Sequence, residues 1–257
     1  MMKQFSAFFK KEFTEHIRSG RMMIMGIIFV IIGVMNPAVA KLTPWLMDMF
    51  AESLAESGMI MTEVTVTAMD SWMQFFKNLP IAIIAFLLLE SGVFTREYQS
   101  GTLILALTKG LDRYKVVIAK SLVMLIMWTV FFWLTFGITY GYNAYYWDNS
   151  IASDIFGAMV CSWLFGVFLV SAVTLFSTVL EFNTGALVGA GGVVLLSYIV
   201  GFIPAASKYV PTYLLDGYSI LVSKAHLSSY AWSCAITSVL SISAFVGSIF
   251  AFKKKQL

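Results

Sequence analysis

The sequence predicts an all-α integral membrane protein with six transmembrane helices, both termini in the cytoplasm, and an amphipathic helix ahead of the first span. Three observations lead there. Of 257 residues, 59% are hydrophobic and only 12% are charged, whereas soluble domains carry about 45–50% apolar and about 25% charged residues. Six apolar runs approach the roughly 20 residues that cross about 30 Å of hydrocarbon. The basic residues divide unevenly between alternate sides of those runs. This pattern leaves little chain for an aqueous catalytic domain, and a net charge of +3 is too slight a bias to point to nucleic acid.

Residues 1–21 come first. Phe5, Phe8, Phe9, Phe13 and Ile17 recur at spacings of three and four, with Lys3, Lys10, Lys11, Thr14 and Arg18 on the other side. That is the pattern of a helix lying in the membrane interface. Glu12 and His16 project near its apolar stripe, either as an i,i+4 pair or as polar contacts fixing this helix against a partner. The six-span domain then occupies residues 22–257. Its spans are read as Met22 to Ala40, Leu79 to Phe94, Val116 to Tyr140, Ile155 to Leu180, Ala186 to Ile203 and Ala231 to Phe252. The second is short as written, and the preferred form starts near Phe75 with Lys77 snorkelling to the surface.

Orientation follows from charge. With the N-terminus inside, thirteen Lys and Arg lie on the inner side, and only Lys41, Lys77, Lys208 and Lys224 lie outside. The positive-inside rule therefore places both termini in the cytoplasm. Trp45, Trp72, Tyr140, Tyr142, Tyr145, Tyr146, Trp147, Tyr230 and Trp232 gather at the outer ends as an interfacial belt would, and all five prolines fall at or beyond those ends. Ala38-Val39-Ala40 is similar to a signal-peptidase site, but the region before it runs to Arg21 and contains Glu12 and Glu15. That is unlike a short basic n-region, so the expectation is an uncleaved first span.

Between spans, the outer loop 41–78 is acidic and too small for a core of its own. The cytoplasmic segment 95–115 carries a short apolar run, Leu103 to Leu107, bracketed by Gly101 and Gly110. Five residues cannot cross a membrane. The run reads as a short helix on the cytoplasmic face, with glycines permitting tight turns. It would offer an apolar ridge flanked by Arg96, Glu97, Asp112 and Arg113 to a partner protein, or else dip into the headgroups. Span five contains Gly185, Gly189 and Gly192, a small-xxx-small pattern serving either packing within the chain or a subunit interface. The stretch 204–230, broken by Pro204 and Pro211, reads as an outer re-entrant segment. Glu90, Lys120 and Glu181 fall near inner ends, where snorkelling is cheap.

Taken together, Glu97, Gly101-Thr102-Leu103, Leu107-Thr108, Arg113 and Lys120, with the entry helix Phe9-Lys10-Lys11-Glu12-Phe13 and Arg18, resemble the ABC-2 type permeases, the membrane subunits of bacterial ATP-driven exporters. Many members have a proline near position 110, where this chain has Lys109-Gly110. The resemblance implies an ABCG-like, type V exporter fold in the cytoplasmic membrane. It implies that Glu97 to Leu107, including Ile104, forms a coupling helix against a cytoplasmic ABC ATPase, beside the N-terminal helix. It further implies two ATPase copies, a second permease copy (identical or a paralogue), and spans two and five near a central path. ATP and Mg2+ would be held by the ATPase.

The chemistry missing from the chain agrees with a separate engine. The dipeptide Gly-Lys is absent, so there is no phosphate-cradling G-x-x-x-x-G-K-[ST] loop. His16 and His226 fall on opposite sides and cannot share a metal, and Cys161 and Cys234 read as packing residues inside spans. No catalytic residue, bound cofactor or metal is expected. Trp128, Phe131, Phe132, Trp133, Trp163, Phe165 and Phe168 suit either a hydrophobic or amphipathic cargo, such as a peptide, lipid or drug, or simple exposure to lipid. A secondary transporter working alone and a membrane-embedded immunity protein are the rival readings.

Overall fold

A computed structural model describes residues 2–50, 65–108 and 110–255, with the side chains of 2, 3 and 104–106 left aside. Every regular element among the described residues is helical. The helices are α1 (Met2–Arg18), α2 (Arg21–Met49), α3 (Ala68–Glu90), α4 (Thr95–Ser100), α5 (Thr102–Thr108), α6 (Arg113–Tyr146), α7 (Ile155–Val179), α8 (Asn183–Gly201), α9 (Tyr218–Leu221) and α10 (Ala231–Lys254). Six of them, α2, α3, α6, α7, α8 and α10, are long and apolar enough to cross a membrane.

In the bundle α2 packs on α3 and α6, α7 packs on α6, α8 and α10, and α3, α6 and α7 form the most enclosed layer. Its centre is aromatic. The Trp128 indole lies between Phe86 and Phe132, with ring centroids 5.4 Å away on each side. A Cβ on Gly166 of α7 would fall 1.8 Å from that indole, so glycine there is what lets α6 and α7 approach. Trp128, Phe131, Phe132, Phe165 and Phe168 are all buried between helices, which corrects the expectation that they face lipid or cargo. In an apolar solvent, shape and close packing, rather than exclusion from water, decide where such rings go.

The helices outrun the apolar runs. α2 continues through Pro37 and Pro44 to Met49, and α3 begins at Ala68 and contains Pro80. So the outer loop is shorter than 41–78, and three prolines lie inside helices rather than beyond their ends. Pro37 has no N–H for the carbonyl of Gly33 four residues back. The Thr139 hydroxyl of α6 donates to that carbonyl at 3.0 Å, and Asn36 and Asn78 extend the contact as a buried chain: Asn78 Nδ2 to Asn36 Oδ1 at 2.8 Å, and Asn36 Nδ2 to Thr139 Oγ1 at 3.1 Å. A kinked helix is tolerated at membrane depth when a neighbour satisfies its freed backbone in this way. α3 starts at a capping arrangement, in which the Asp70 carboxylate accepts from the Thr67 amide at 2.8 Å.

After α8 the chain forms short helical turns, including Pro211–Leu215 and α9, that pack on α7 and α10. Ser162 of α7 donates to Leu214 O at 3.2 Å and the Tyr230 hydroxyl donates to Asp216 O at 2.7 Å, so this broken backbone is tied to the bundle. Cys161 and Cys234 are free thiols facing each other across α7 and α10, with Sγ atoms 3.9 Å apart.

Candidate functional site: a buried charged junction

At one end of the bundle, α1, the end of α3, α4 and the start of α6 meet. The sequence folds α1 there through its heptad-like spacing, but the buried stripe is not the aromatic one. Phe8, Glu12 and His16, four residues apart, are buried, whereas Ile17 is exposed and Phe5, Phe9 and Phe13 stack alongside at 6.4 and 6.5 Å. The expectation of an apolar stripe through Ile17 is corrected accordingly. Two of the three inward residues are polar because complementary charge waits for them.

Lys120 of α6 is the centre. Its ammonium is 2.7 Å from Glu12 Oε2 and donates to Val93 O at 3.1 Å. It lies 2.9 Å from Glu97 Oε2, an ionic contact rather than an aligned hydrogen bond. Lys11 is bonded to Glu97 and reaches Glu12 Oε1 and Glu15 Oε2 at 3.0 Å each. His16 Nε2 meets Glu90 Oε2 at 3.1 Å while its Nδ1 meets Glu12 O at 3.0 Å. Arg21 stands 3.9 Å from Glu15. Three basic residues thus face the carboxylates of Glu12, Glu15, Glu90 and Glu97, and a protonated His16 supplies the fourth positive charge. Burial disfavours that charge, but the hydrogen bond and negative charge of Glu90 outweigh it and hold the His16 pKa above its ordinary value. Lys11 behaves alike: burial opposes its charge, and the Glu12 and Glu97 carboxylates more than compensate, raising its pKa. Lys120 and Glu90 are 1% and 0% exposed, so they do not snorkel; internal pairing replaces water.

The positions singled out in the sequence fall into three groups. Glu97, Lys120, Lys11 and Glu12 come together in this junction. Gly101 and Gly110 adopt φ of 68° and 84°, conformations that favour glycine, at the two ends of α5. Thr102 is exposed and Leu107 half-buried, but Leu103 is buried in the core, so it is not an exposed docking ridge; leaving a leucine in water costs about 1.5–3 kcal/mol. The side chain of Ile104 and all of Lys109 lie outside the described residues. Arg113 is bound by its guanidinium to the carbonyls of Phe252 and Lys253 at 3.3 Å, and to that of Lys255, closing the end of α10 rather than standing free. Phe9 and Phe13 flank the junction and Arg18 is exposed.

Gly189 packs within the chain: a Cβ there would meet Phe176 of α7 at 2.4 Å, and one on Gly185 would meet Leu180 at 3.2 Å. Gly192 has open space instead. Glu12, Glu15 and Glu97 bring carboxylate oxygens within 4.8 Å of one another, but Lys11 contacts all three and supplies the positive charge a metal would. His16 and Glu90 are the members of the junction the sequence left unassigned to one another. The available signal was sign complementarity between the inward stripe of α1 and the few charges at the ends of the second and third spans.

The arrangement is that of an all-helical membrane protein with a buried cluster of paired charges at one end of its bundle. The family model for ABC-2 family transporter proteins matches residues 6–210, and the chain belongs to that family. It is similar to the uncharacterized transmembrane protein YxlG of Bacillus subtilis (strain 168), with 20% identity over 265 aligned positions covering 99% of each chain. No solved structure matches it. Together with six apolar helices, this makes it a multi-pass membrane protein, a transport component not itself catalytic, from a family whose permeases work with ABC ATPases.

Proposed function

We propose that this chain is the permease subunit of an exporter, driven by a separate cytoplasmic ABC ATPase acting on its charged junction. The observation that carries this reading is Glu97. It sits on α4, between the second and third spanning helices, and binds Lys11 of α1 and Lys120 of α6 at once. A push on α4 and α5 therefore reaches the interfacial helix and the third spanning helix without slack. Contact with the ATPase falls to the outward residues Arg96, Gln99, Ser100 and Thr102, which are exposed, while Glu97 passes the load inward. The excess of Lys and Arg on this side supports its facing the cytoplasm.

Two ATPase copies and two permease copies complete the assembly, with ATP and Mg2+ in the ATPase. A hydrophobic or amphipathic cargo leaves the cytoplasm. A mostly apolar cleft of about 270 Å³ between α6, α7 and α10, with Ser121, Ser171 and Ser241 as its polar groups, supports that class. The test is copurification with an ABC ATPase, followed by ATP turnover, alongside labelling of a single cysteine at Ser100 in a variant lacking native cysteines. The expected result is stimulated turnover that Arg96→Glu abolishes, and labelling only in inverted vesicles. Labelling in intact cells, or full stimulation by Arg96→Glu, would overturn the proposal.

A further inference from the structure

At the end of the bundle opposite the charged junction, the C-terminal end of α6 and the N-terminal end of α7 enclose a cleft of about 580 Å³. Its walls include the rings of Tyr140, Trp147 and Phe156 and the carboxylates of Asp148 and Asp154, and no basic side chain lines it. Tyr140 and Phe156, one from each helix, stand with ring centroids 6.5 Å apart and planes tilted by 42°. A pocket of this size, aromatic on its sides and carrying a few placed charges, has the make-up of a small-molecule site.

The two carboxylates have different commitments. Asp148 accepts from the Ser150 amide at 2.8 Å and from the Ser150 hydroxyl at 2.5 Å, which hold its carboxyl below its ordinary pKa. Asp154 precedes α7 with φ 43° and makes no capping bond to the helix it starts. Among the described residues its carboxylate has no hydrogen bond or ion pair. Negative charge in a cleft lined by aromatic residues and by no basic side chain is the complement of a soft organic cation. Outside the cleft, the chain makes such a contact itself: the Lys41 ammonium sits 3.4 Å above the ring centroid of Tyr146, the residue before Trp147.

We propose that this cleft binds an organic ammonium group, with Tyr140 and Phe156 presenting ring faces and Asp154 supplying the counter-charge. The ammonium comes either from a free solute or from the headgroup of a lipid in the adjoining leaflet. The inference stands apart from any ATPase, so it is tested on the isolated chain.

The full-length protein in nanodiscs of phosphatidylglycerol, a lipid without an ammonium, is titrated with choline and with 3,3-dimethylbutan-1-ol, its uncharged carbon isostere. Saturable choline binding, with the isostere at least about tenfold weaker, is the expected result for a free source. No choline binding, but protection of residues 148–157 from hydrogen exchange when phosphatidylethanolamine is added, supports the lipid source. In either arm Asp154→Asn, which keeps a residue tolerant of positive φ, weakens the effect about tenfold, and Phe156→Leu weakens it while conserving apolar bulk. Equal binding of the isostere, no effect in either arm, or unchanged binding in both variants would overturn the proposal.

Discussion

The two ends of this bundle are held by opposite chemistries. At the charged end, Lys120 draws Glu12 and Glu97 from two other helices into a buried ionic knot, with His16 and Glu90 beside it. Toward the aromatic end α2, α3 and α6 are joined by neutral groups, such as Asn36, Asn78 and Thr139, and by ring contacts around Trp72 and Tyr140. Interhelical neutral bonds in membranes contribute about 0.6 kcal/mol each and rarely above about 1.7, so that end is stabilised by many small contacts. A buried ion pair is different: it adds little net stability when whole but costs much when one partner is lost. A few interdependent contacts that fail together suit the place where force enters, and many independent ones suit a scaffold.

The largest effect should come from breaking the knot at its centre. Lys120→Met takes the buried cation away from Glu12 and Glu97, leaving them the part-exposed Lys11, and should cost up to about 3–5 kcal/mol, seen as a fall in thermal unfolding temperature in detergent. Next comes the packing between the ends. Gly166→Ala drives a methyl into Trp128 and should cost about 1–3 kcal/mol, while Gly192→Ala, which meets open space, should leave the unfolding temperature within error. If both alanines cost the same, the distinction between packed and open glycines fails.

At the neutral end, Thr139→Ala removes the hydroxyl serving the Gly33 carbonyl and should cost about 1 kcal/mol, measured in the same assay. The smallest effect is titration of His16. Its folded pKa lies above the ordinary 6.5, so its charged contact with Glu90 stabilises fully below pH 6.5 and is lost as pH rises through the raised value. Glu12, whose carbonyl His16 contacts, and Arg21, whose charge opposes it, are the other charged residues bearing on this contact. The protection factors of the α1 amides, from which the intrinsic base-catalysed rise of exchange is already divided out, should therefore fall toward alkaline pH, and His16→Asn should flatten that fall.

How much of this could be read from the chain depends on the range of the interaction. The six spans and the glycine turns at 101 and 110 are local, set by runs of apolar residues and by single backbone conformations, and both are plain in the sequence. The burial of Leu103 was not, because an apolar residue near a membrane face can turn to a partner or to its own core, and only the packing decides. The pairing of Glu12 with Lys120 spans 108 positions, and nothing in helical spacing selects which distant charge answers a polar residue on the buried face of α1. Thr135, Thr139 and Asn143 form a polar stripe at spacing four on α6. Of these, Thr139 serves the Gly33 carbonyl that Pro37 leaves free, a use that only the packing of α2 on α6 shows, whereas Thr135 donates to Phe29 O.

The central claim is that α4 is bound to α1 through Glu97 and that this bond carries the partner's work. A double-mutant cycle with Lys11→Met and Glu97→Gln, read as ATPase stimulation by the reconstituted complex, tests it directly. The two changes should be strongly non-additive, the second costing little once the first is made, with a coupling energy of at least about 1 kcal/mol. Effects that sum to within about 0.3–0.5 kcal/mol would contradict the account.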